Sequence, residues 1–469
     1  MRYQAPITVL LLFAALLSFC KKDPQPPLEN QDADEQYTGG KNGTSFTFGE
    51  NAFGISIKGM SAEQDGFFVT GNSLFRTNWV TAPSSVQSLD GLGPLLNDIS
   101  CGSCHFKDGR AKPPELPDEP LRGLLFRLSI PGVDANGGPL PEPNYGGQLQ
   151  DKAILDVQPE ANVRVVYENV NGTFDDGTTY TLRKPVYQFL NNGYGEFVPG
   201  MLFSPRIAQQ LPGLGLLEIV DETTILALAD ESDVDGDGVS GKANYVWDVE
   251  KQQLSLGRFG WKANQPTLKQ QAAGAFNGDI GITSALFPQD HLTPSQQAQY
   301  QHIPNGGAPE IADDLLKKVE VYLQGLAVPA RRNHLERDVL RGKLIFNDIK
   351  CATCHHPQFV TGQSGQIDVL KGQKIWPYSD LLLHDMGNEL ADGRPDFLAN
   401  GREWRTPPLW GIGLVPEVNG HSFYLHDGRA RNIEEAILWH GGEAEQATKS
   451  FKKLEKADRD ALIRFVESL

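Results

Sequence analysis

The spacing of apolar residues along the chain predicts a mainly α protein with many loops. Apolar side chains recur at helical spacing in three segments, 311–326, 337–346 and 456–469. Two shorter runs, 163–170 and 178–183, read as strands, and the Gly- and Asp-containing turn between them predicts a small β-hairpin. With 49 glycines and 31 prolines, much of the remaining chain is expected to form loops.

The beginning of the chain has a different pattern. An apolar run at 7–17 ends shortly before Cys20, which is typical of a secretory signal with a lipoprotein-type cysteine, and it is too short to cross a bilayer. A plain signal peptide is the alternative, because Phe19 is bulkier than the small residue usual before such a cysteine. We expect residues 1–20 to be this signal peptide and the polar residues 21–44 to be a disordered tether. The mature protein would then be an exported, periplasmic lipoprotein that contacts the membrane only through a lipid at Cys20.

Two copies of one signature carry the clearest chemistry, Cys101-Gly-Ser-Cys104-His105 and Cys351-Ala-Thr-Cys354-His355. In a c-type haem site the two thiols form thioethers to the porphyrin and the histidine ligates the iron. A structural zinc site needs four ligands, and no further cysteine pair exists to complete one. With Cys20 assigned to the signal, no cysteine is left as a free thiolate. The sequence therefore predicts two covalently bound haem c groups.

The distance between the motifs predicts two domains. Their histidines are 250 residues apart, so each motif is expected to anchor its own cytochrome c-like haem domain. The N-terminal domain would span 45–328 with insertions, and the C-terminal domain would span 329–469. The segment Pro329-Ala-Arg-Arg332 is the predicted hinge between them.

The histidines that follow each motif bear on iron ligation. After His105 the next histidine is His291, so the first iron is expected to keep an open position for peroxide or oxygen, unless a distant His or Met folds back. An iron closed by two strong ligands moves electrons but cannot bind substrate. The chain that follows the second motif contains four candidates for such a second ligand: His384, Met386, His426 and His440.

An acidic segment predicts a calcium site. In Asp233-Val-Asp235-Gly-Asp237-Gly238, carboxylates stand at positions 1, 3 and 5 of a calcium loop, and glycine stands at position 6. Position 12 is Asn244 instead of the bidentate glutamate of an EF-hand. We therefore predict a calcium loop of another type, with an acidic surface turn as the alternative.

Three further segments, 257–271, 400–411 and 424–440, carry a family resemblance. Together with the haem motifs, they resemble the di-haem oxidoreductases classed as peroxidases, which are also labelled predicted thiol oxidoreductases. The resemblance covers nearly all of the mature chain. More remotely, the chain is similar to bacterial di-haem cytochrome c peroxidases, the tryptophan-oxidising di-haem enzyme of methylamine utilisation, and bacterial rubber oxygenase.

The resemblance also implies roles for individual residues. The remote peroxidases hold a tryptophan between their haems, for which Trp261 is the candidate, and a core indole is the alternative. They place an acid in the open pocket, for which Asp279 is the nearest candidate, against a purely structural carboxylate. In these relatives the sixth ligand of the second haem follows a Leu-Glu-Glu-Ala helix start. His440 occupies that place here, with Met386 as the runner-up.

Combined, these implications lead to a functional hypothesis. Peroxide would be reduced at the first haem, with electrons entering at the second haem and passing near Trp261, while Asp279 protonates the leaving oxygen. An oxygenase or oxidase that uses the same open haem is a close alternative, and a non-catalytic di-haem electron-transfer cytochrome is a rival of another class. The formal net charge of −17 argues against nucleic acid and favours a small, basic electron-donor protein or cytochrome as partner.

Overall fold

Short helices and short strands alternate along the chain in the computed structural model, which describes residues 34–469. The α-helices are Gly40–Gly43, Ala62–Arg76, Cys101–Cys104, Leu214–Glu218, Glu222–Leu226, Leu268–Ala275, Pro294–Tyr300, Asp313–Gln324, Arg337–Asp348, Val415–Asn419, Ile433–Trp439, Glu445–Lys453 and Lys456–Ser468. The strands are Thr44–Ser45, Leu95–Leu96, Leu124–Val133, Pro139–Leu140, Lys152–Ala153, Asn162–Thr173, Thr179–Leu190, Leu202–Ile207, Tyr245–Asp248, Gln253–Leu256, Val328–Pro329, Phe359–Val360, Lys374–Ile375, Leu383–Asp385 and Glu403–Arg405.

The prediction of a mainly α fold is wrong. The structure is 29% helical and 19% strand, with many short sheets, and this mixture does not show cytochrome c-like domains. Most strands are only two to four residues long, too short for an alternating pattern to reveal them in the sequence. The hairpin is also longer than predicted, because Asn162–Thr173 pairs antiparallel with Thr179–Leu190 along its whole length.

Three predicted helices are confirmed, as Asp313–Gln324, Arg337–Asp348 and Lys456–Ser468. Each has one apolar face that is buried, which is the feature that made it recognisable. The last two cross each other closely, because a Cβ atom on Gly342 would lie only 2.0 Å from the carbonyl oxygen of Ala461.

A second helix pair repeats this crossing near the first haem motif. Ala62–Arg76 crosses Asp313–Gln324 at Gly71, where a Cβ atom would lie 2.0 Å from the carbonyl oxygen of Lys318. Four residues after each crossing glycine, a phenylalanine packs against the histidine of the motif that follows. The ring centroids are 6.0 Å apart for Phe75 and His105, and 6.1 Å apart for Phe346 and His355.

Replacing Gly342 with alanine is expected to destabilise the protein by about 1–3 kcal/mol, because the new methyl group forces the two helices apart. Gly66 is the matched control, since it lies in another helix and has no atom within 4 Å of its added Cβ. Alanine at Gly66 is expected to stabilise by about 0.5–1 kcal/mol through helix propensity. Denaturant unfolding measures both, and an unchanged free energy for Gly342→Ala would contradict the close crossing.

The N-terminal end of the described chain is built into the body. Strand Thr44–Ser45 pairs in parallel with Val328–Pro329, where the predicted hinge begins, and both Glu35 and Arg331 are 4% exposed. The described residues, 34–469, all lie in one compact unit. The division into domains at residue 328, the signal peptide and Cys20 stay predictions, the last two lying outside the described residues. Among the described helices, none combines the length and apolar character of a membrane span.

Candidate active site

The first motif lies on a single helical turn, Cys101–Cys104. The Nδ1 atom of His105 lies 2.7 Å from the backbone oxygen of Gln209. Because a carbonyl can only accept, Nδ1 carries the proton and Nε2 is left to bind a metal. Burial lowers the pKa of His105, which keeps the ring in the neutral form that metals bind.

The second motif repeats this arrangement on the turn Cys351–Thr353. The Nδ1 atom of His355 lies 3.0 Å from the backbone oxygen of Tyr378, and burial lowers the pKa of His355 to about 4. Burial also raises the pKa of Cys351 to about 12, so the free thiol is not an activated nucleophile. A cavity of about 360 Å³ lies beside both cysteines and the histidine.

The predicted sixth ligand, His440, lines this same cavity. It follows directly after helix Ile433–Trp439, and its Nδ1 lies 2.6 Å from the oxygen of Ala436, so its Nε2 is also left for a metal. His440 lies close enough to His355 that a positive charge on His440 would lower the pKa of His355. This effect adds to the larger effect of burial. Met386 lines the cavity too and stays the runner-up.

His384 cannot serve as a ligand in this arrangement. Its Nε2 lies 2.7 Å from a carboxylate oxygen of Asp380, and its Nδ1 lies 2.7 Å from one of Glu443. Burial alone would lower the pKa of His384, but the two carboxylates raise it well above its ordinary value. The ring is therefore a buried imidazolium ion, next to the sulfur of Cys354 at 3.5 Å.

Replacing His384 with glutamine is expected to destabilise the protein by about 3–5 kcal/mol at neutral pH, because two carboxylates lose their buried cation. Since the pKa of His384 is raised by folding, its contribution is fully present below about pH 6.5 and is lost as pH rises through the raised value. Denaturant unfolding across this pH range should show the decline in the wild type and not in the variant. His302, which is exposed, is the control, and glutamine there should change stability by less than about 0.5 kcal/mol.

Trp261 lines the cavity of the second motif and bonds to the end of strand Leu202–Ile207. Its Nε1 donates to the oxygen of Ile207 at 2.8 Å, two residues before the carbonyl of Gln209 that holds His105. Its ring also lines the cavity beside His355. The placement of Trp261 between the two haems and its role in electron transfer stay predictions.

A second tryptophan lines the same cavity and was missed in the sequence. The ring of Trp404 stacks on His426, with centroids 3.8 Å apart and an interplanar angle of 14°. Burial lowers the pKa of His426 to about 4, so this ring is neutral. Trp404 lies inside one of the family-like segments, but that resemblance indicates no contact partner for it.

Asp279 lies in a π-helical turn, Phe276–Ile280, of a kind often found at functional sites. Its backbone oxygen accepts hydrogen bonds from the amides of Asn97 at 2.8 Å and Asp98 at 3.1 Å, just before the first motif. Burial raises the pKa of Asp279. The carboxylate in turn adds to the effect of burial in raising the pKa of Cys101, so the structure brings it beside the first motif.

Two residues that sequence reasoning missed join Asp279. Gln148 donates its Nε2 to a carboxylate oxygen of Asp279 at 2.7 Å, and it pairs across an antiparallel bridge with Arg127. The positive charge of Arg127 lowers the pKa of Asp279, opposing the larger effect of burial. Within the described chain, the side-chain oxygen of Gln148 is buried without a hydrogen-bond partner. The cluster thus offers an acid, a cation and an unused acceptor.

His291 lies at the edge of this cluster. Its Nδ1 is 2.9 Å from the side-chain nitrogen of Gln150, which also donates to the oxygen of Gly278. Burial, with the charge of Arg127 adding to it, lowers the pKa of His291 to about 4. In the sequence, the one feature that pointed to His291 was its position as the first histidine after His105.

The acidic segment brings three aspartate side chains together, but not the three that were predicted. Oxygens of Asp230, Asp233 and Asp235 lie within 4.8 Å of one another. Asp237 is not in this group, and one of its oxygens accepts from the amide of Val239 at 2.9 Å. Asn244 is buried elsewhere and bonds to the backbone of Lys262 and other residues. Calcium binding stays a prediction.

Comparison with known proteins gives one clear finding. A family model described as "Di-haem oxidoreductase, putative peroxidase" matches residues 33–469, which include both motifs and every described candidate residue. No curated protein matches the chain. The family resemblance noted in the sequence is confirmed.

Proposed function

The chain belongs to the di-haem oxidoreductase, putative peroxidase family and is therefore an oxidoreductase that uses haem, and we propose that it reduces peroxide at a site beside His105. The observation that carries this proposal is the difference between the two motifs. Beside the first, the chain assembles the acid Asp279 with Gln148 and Arg127. Beside the second, it places another histidine, His440, in a largely apolar cavity.

The residues present suit two haem c groups. At each motif, two cysteines stand one helical turn apart, and a neutral histidine keeps its Nε2 for a metal. When bound, each haem supplies an iron that exchanges electrons, and we propose that only the iron at the first motif keeps a position open to peroxide. His355 and His440, which line one cavity, would hold the second haem, and its iron would supply the electron relay.

Proton transfer is the task that the chain itself performs in this reaction. Reduction of hydrogen peroxide to two molecules of water consumes two protons and two electrons. The raised pKa of Asp279 keeps its carboxyl group protonated to a higher pH than that of an exposed aspartate, so it can deliver a proton to the leaving oxygen. The guanidinium of Arg127 favours the negative charge that develops there, and the free oxygen of Gln148 can accept from the O–H of peroxide.

We further propose an exported protein, anchored at Cys20 and reduced by a small, basic donor protein or cytochrome. The apolar segment that ends before Cys20 supports export, which also suits the place where haem c is attached. The net charge of −17 supports a basic partner. An oxygenase or oxidase reaction at the same site is the second candidate, because it would need the same open position on the first iron.

The test is a spectrum and an assay on the purified holoprotein. The ferric protein should show one high-spin and one low-spin haem, both retained after denaturation, and should turn over peroxide with a reduced donor. A wholly low-spin spectrum that peroxide leaves unchanged would reject the proposal and favour an electron-transfer cytochrome. Oxygen consumption with an organic substrate, without peroxide turnover, would favour the oxygenase.

A further inference from the structure

The carbonyl group that holds the ring of His355 belongs to a residue in an uncommon backbone conformation. Tyr378 has a φ of 52°, in the left-handed region that a bulky side chain rarely adopts. Its backbone oxygen lies 3.0 Å from the Nδ1 atom of His355. Contacts that keep Tyr378 in this conformation therefore also set the direction and strength of the hydrogen bond to His355.

A buried carboxylate provides the main polar contact of the Tyr378 side chain. The phenol of Tyr378 donates to Glu35, which is only 4% exposed. Arg331 forms an ion pair with the same carboxylate, and Lys343 lies 2.5 Å from its other oxygen. Three donors from separate segments thus converge on Glu35, which offsets the cost of burying its charge.

The backbone around Glu35 ties down the same segments. The oxygen of Gln36 accepts from the amide of Arg331 at 3.1 Å. The oxygen of Thr38 accepts from the amide of Trp376 at 2.7 Å, two residues before Tyr378. The N-terminal segment thus holds the Tyr378 loop through both backbone and side chain.

We infer that Glu35 is a positioning residue for the second haem, acting through Tyr378 on the bond between His355 and the iron. The inference rests on the proposed role of His355 as an axial ligand. A firm Nδ1–H···O bond makes an imidazole a stronger electron donor and so stabilises ferric iron. Loosening Tyr378 should weaken this bond and shift the midpoint potential of the second haem to more positive values.

The test is a double-mutant cycle on the holoprotein, read by spectroelectrochemical titration. Glu35→Gln and Tyr378→Phe should each raise the potential of the second haem, and the double variant should shift it no further than the larger single change. Tyr378→Phe keeps the ring and the carbonyl group, so it remains informative if Glu35→Gln folds poorly. The haem at His105 is the internal reference, and its potential should stay unchanged.

Glu50→Gln is the matched control, because Glu50 is an exposed N-terminal carboxylate paired with Lys107, beside the other motif. It should leave the second potential unchanged. Additive shifts in the double variant would show a simple charge effect and overturn the positioning role. An unchanged second potential in both single variants would also overturn it, with the proposed function intact. If the wild-type peptide 351–355 carries no haem, the proposed function itself fails.

Discussion

Replacing His440 with alanine is expected to convert the second haem from low-spin to high-spin. Alanine has no donor atom, and the two other histidines that line the cavity are engaged, His384 by two carboxylates and His426 by stacking on Trp404. Peroxide turnover should fall sharply, because a relay that binds water or peroxide itself no longer passes electrons with little reorganisation. Electronic absorption and electron paramagnetic resonance spectra of the ferric protein measure the change.

Met386, the sulfur-containing candidate in the same cavity, provides the control for this experiment. Met386 lines the same cavity, so Met386→Leu tests the runner-up with a side chain of similar volume. The low-spin signal should survive this substitution. A high-spin second haem in Met386→Leu, together with an unchanged spectrum in His440→Ala, would transfer the ligand role to Met386.

Replacing Asp279 with asparagine is expected to lower peroxide turnover by roughly 10²- to 10⁴-fold, the usual contribution of a general acid. The amide preserves the shape of the side chain but has no proton to deliver. Wild-type turnover should decline as pH rises through the raised pKa of Asp279, because the protonated carboxyl is the active form. The residual turnover of the variant should lack this decline. Steady-state assays across pH measure both effects.

Asp98 is the matched carboxylate for this comparison. It also lies next to the first motif, but its side chain pairs with Lys152 at 2.8 Å. Asp98→Asn should therefore change turnover much less than Asp279→Asn. Equal losses in the two variants would indicate a general electrostatic effect of the region and would remove Asp279 from the role of acid.

How far the sequence predicts this fold depends on the range of the interactions involved. The helix at Arg337–Asp348 was predictable, because its buried face repeats along one continuous segment. The pairing of Thr44–Ser45 with Val328–Pro329 was not, because two-residue strands carry no pattern and their partners are distant in the chain. The prediction of a mainly α protein failed for this reason.

The same contrast between local patterns and distant contacts applies to the candidate site. The haem motifs are local, whereas the residues around them come from distant parts of the chain. By itself, the sequence determined the family and predicted the two haem attachment sites, because the cysteines and the histidine of such a site stand at fixed spacing on one turn. Only the tertiary structure decided that Gln148 bonds to Asp279, 131 residues away. It likewise decided that the phenol of Tyr378 bonds to Glu35 while the backbone oxygen of Tyr378 bonds to His355. Such contacts depend on how separate segments pack, and no local pattern of residue types records that.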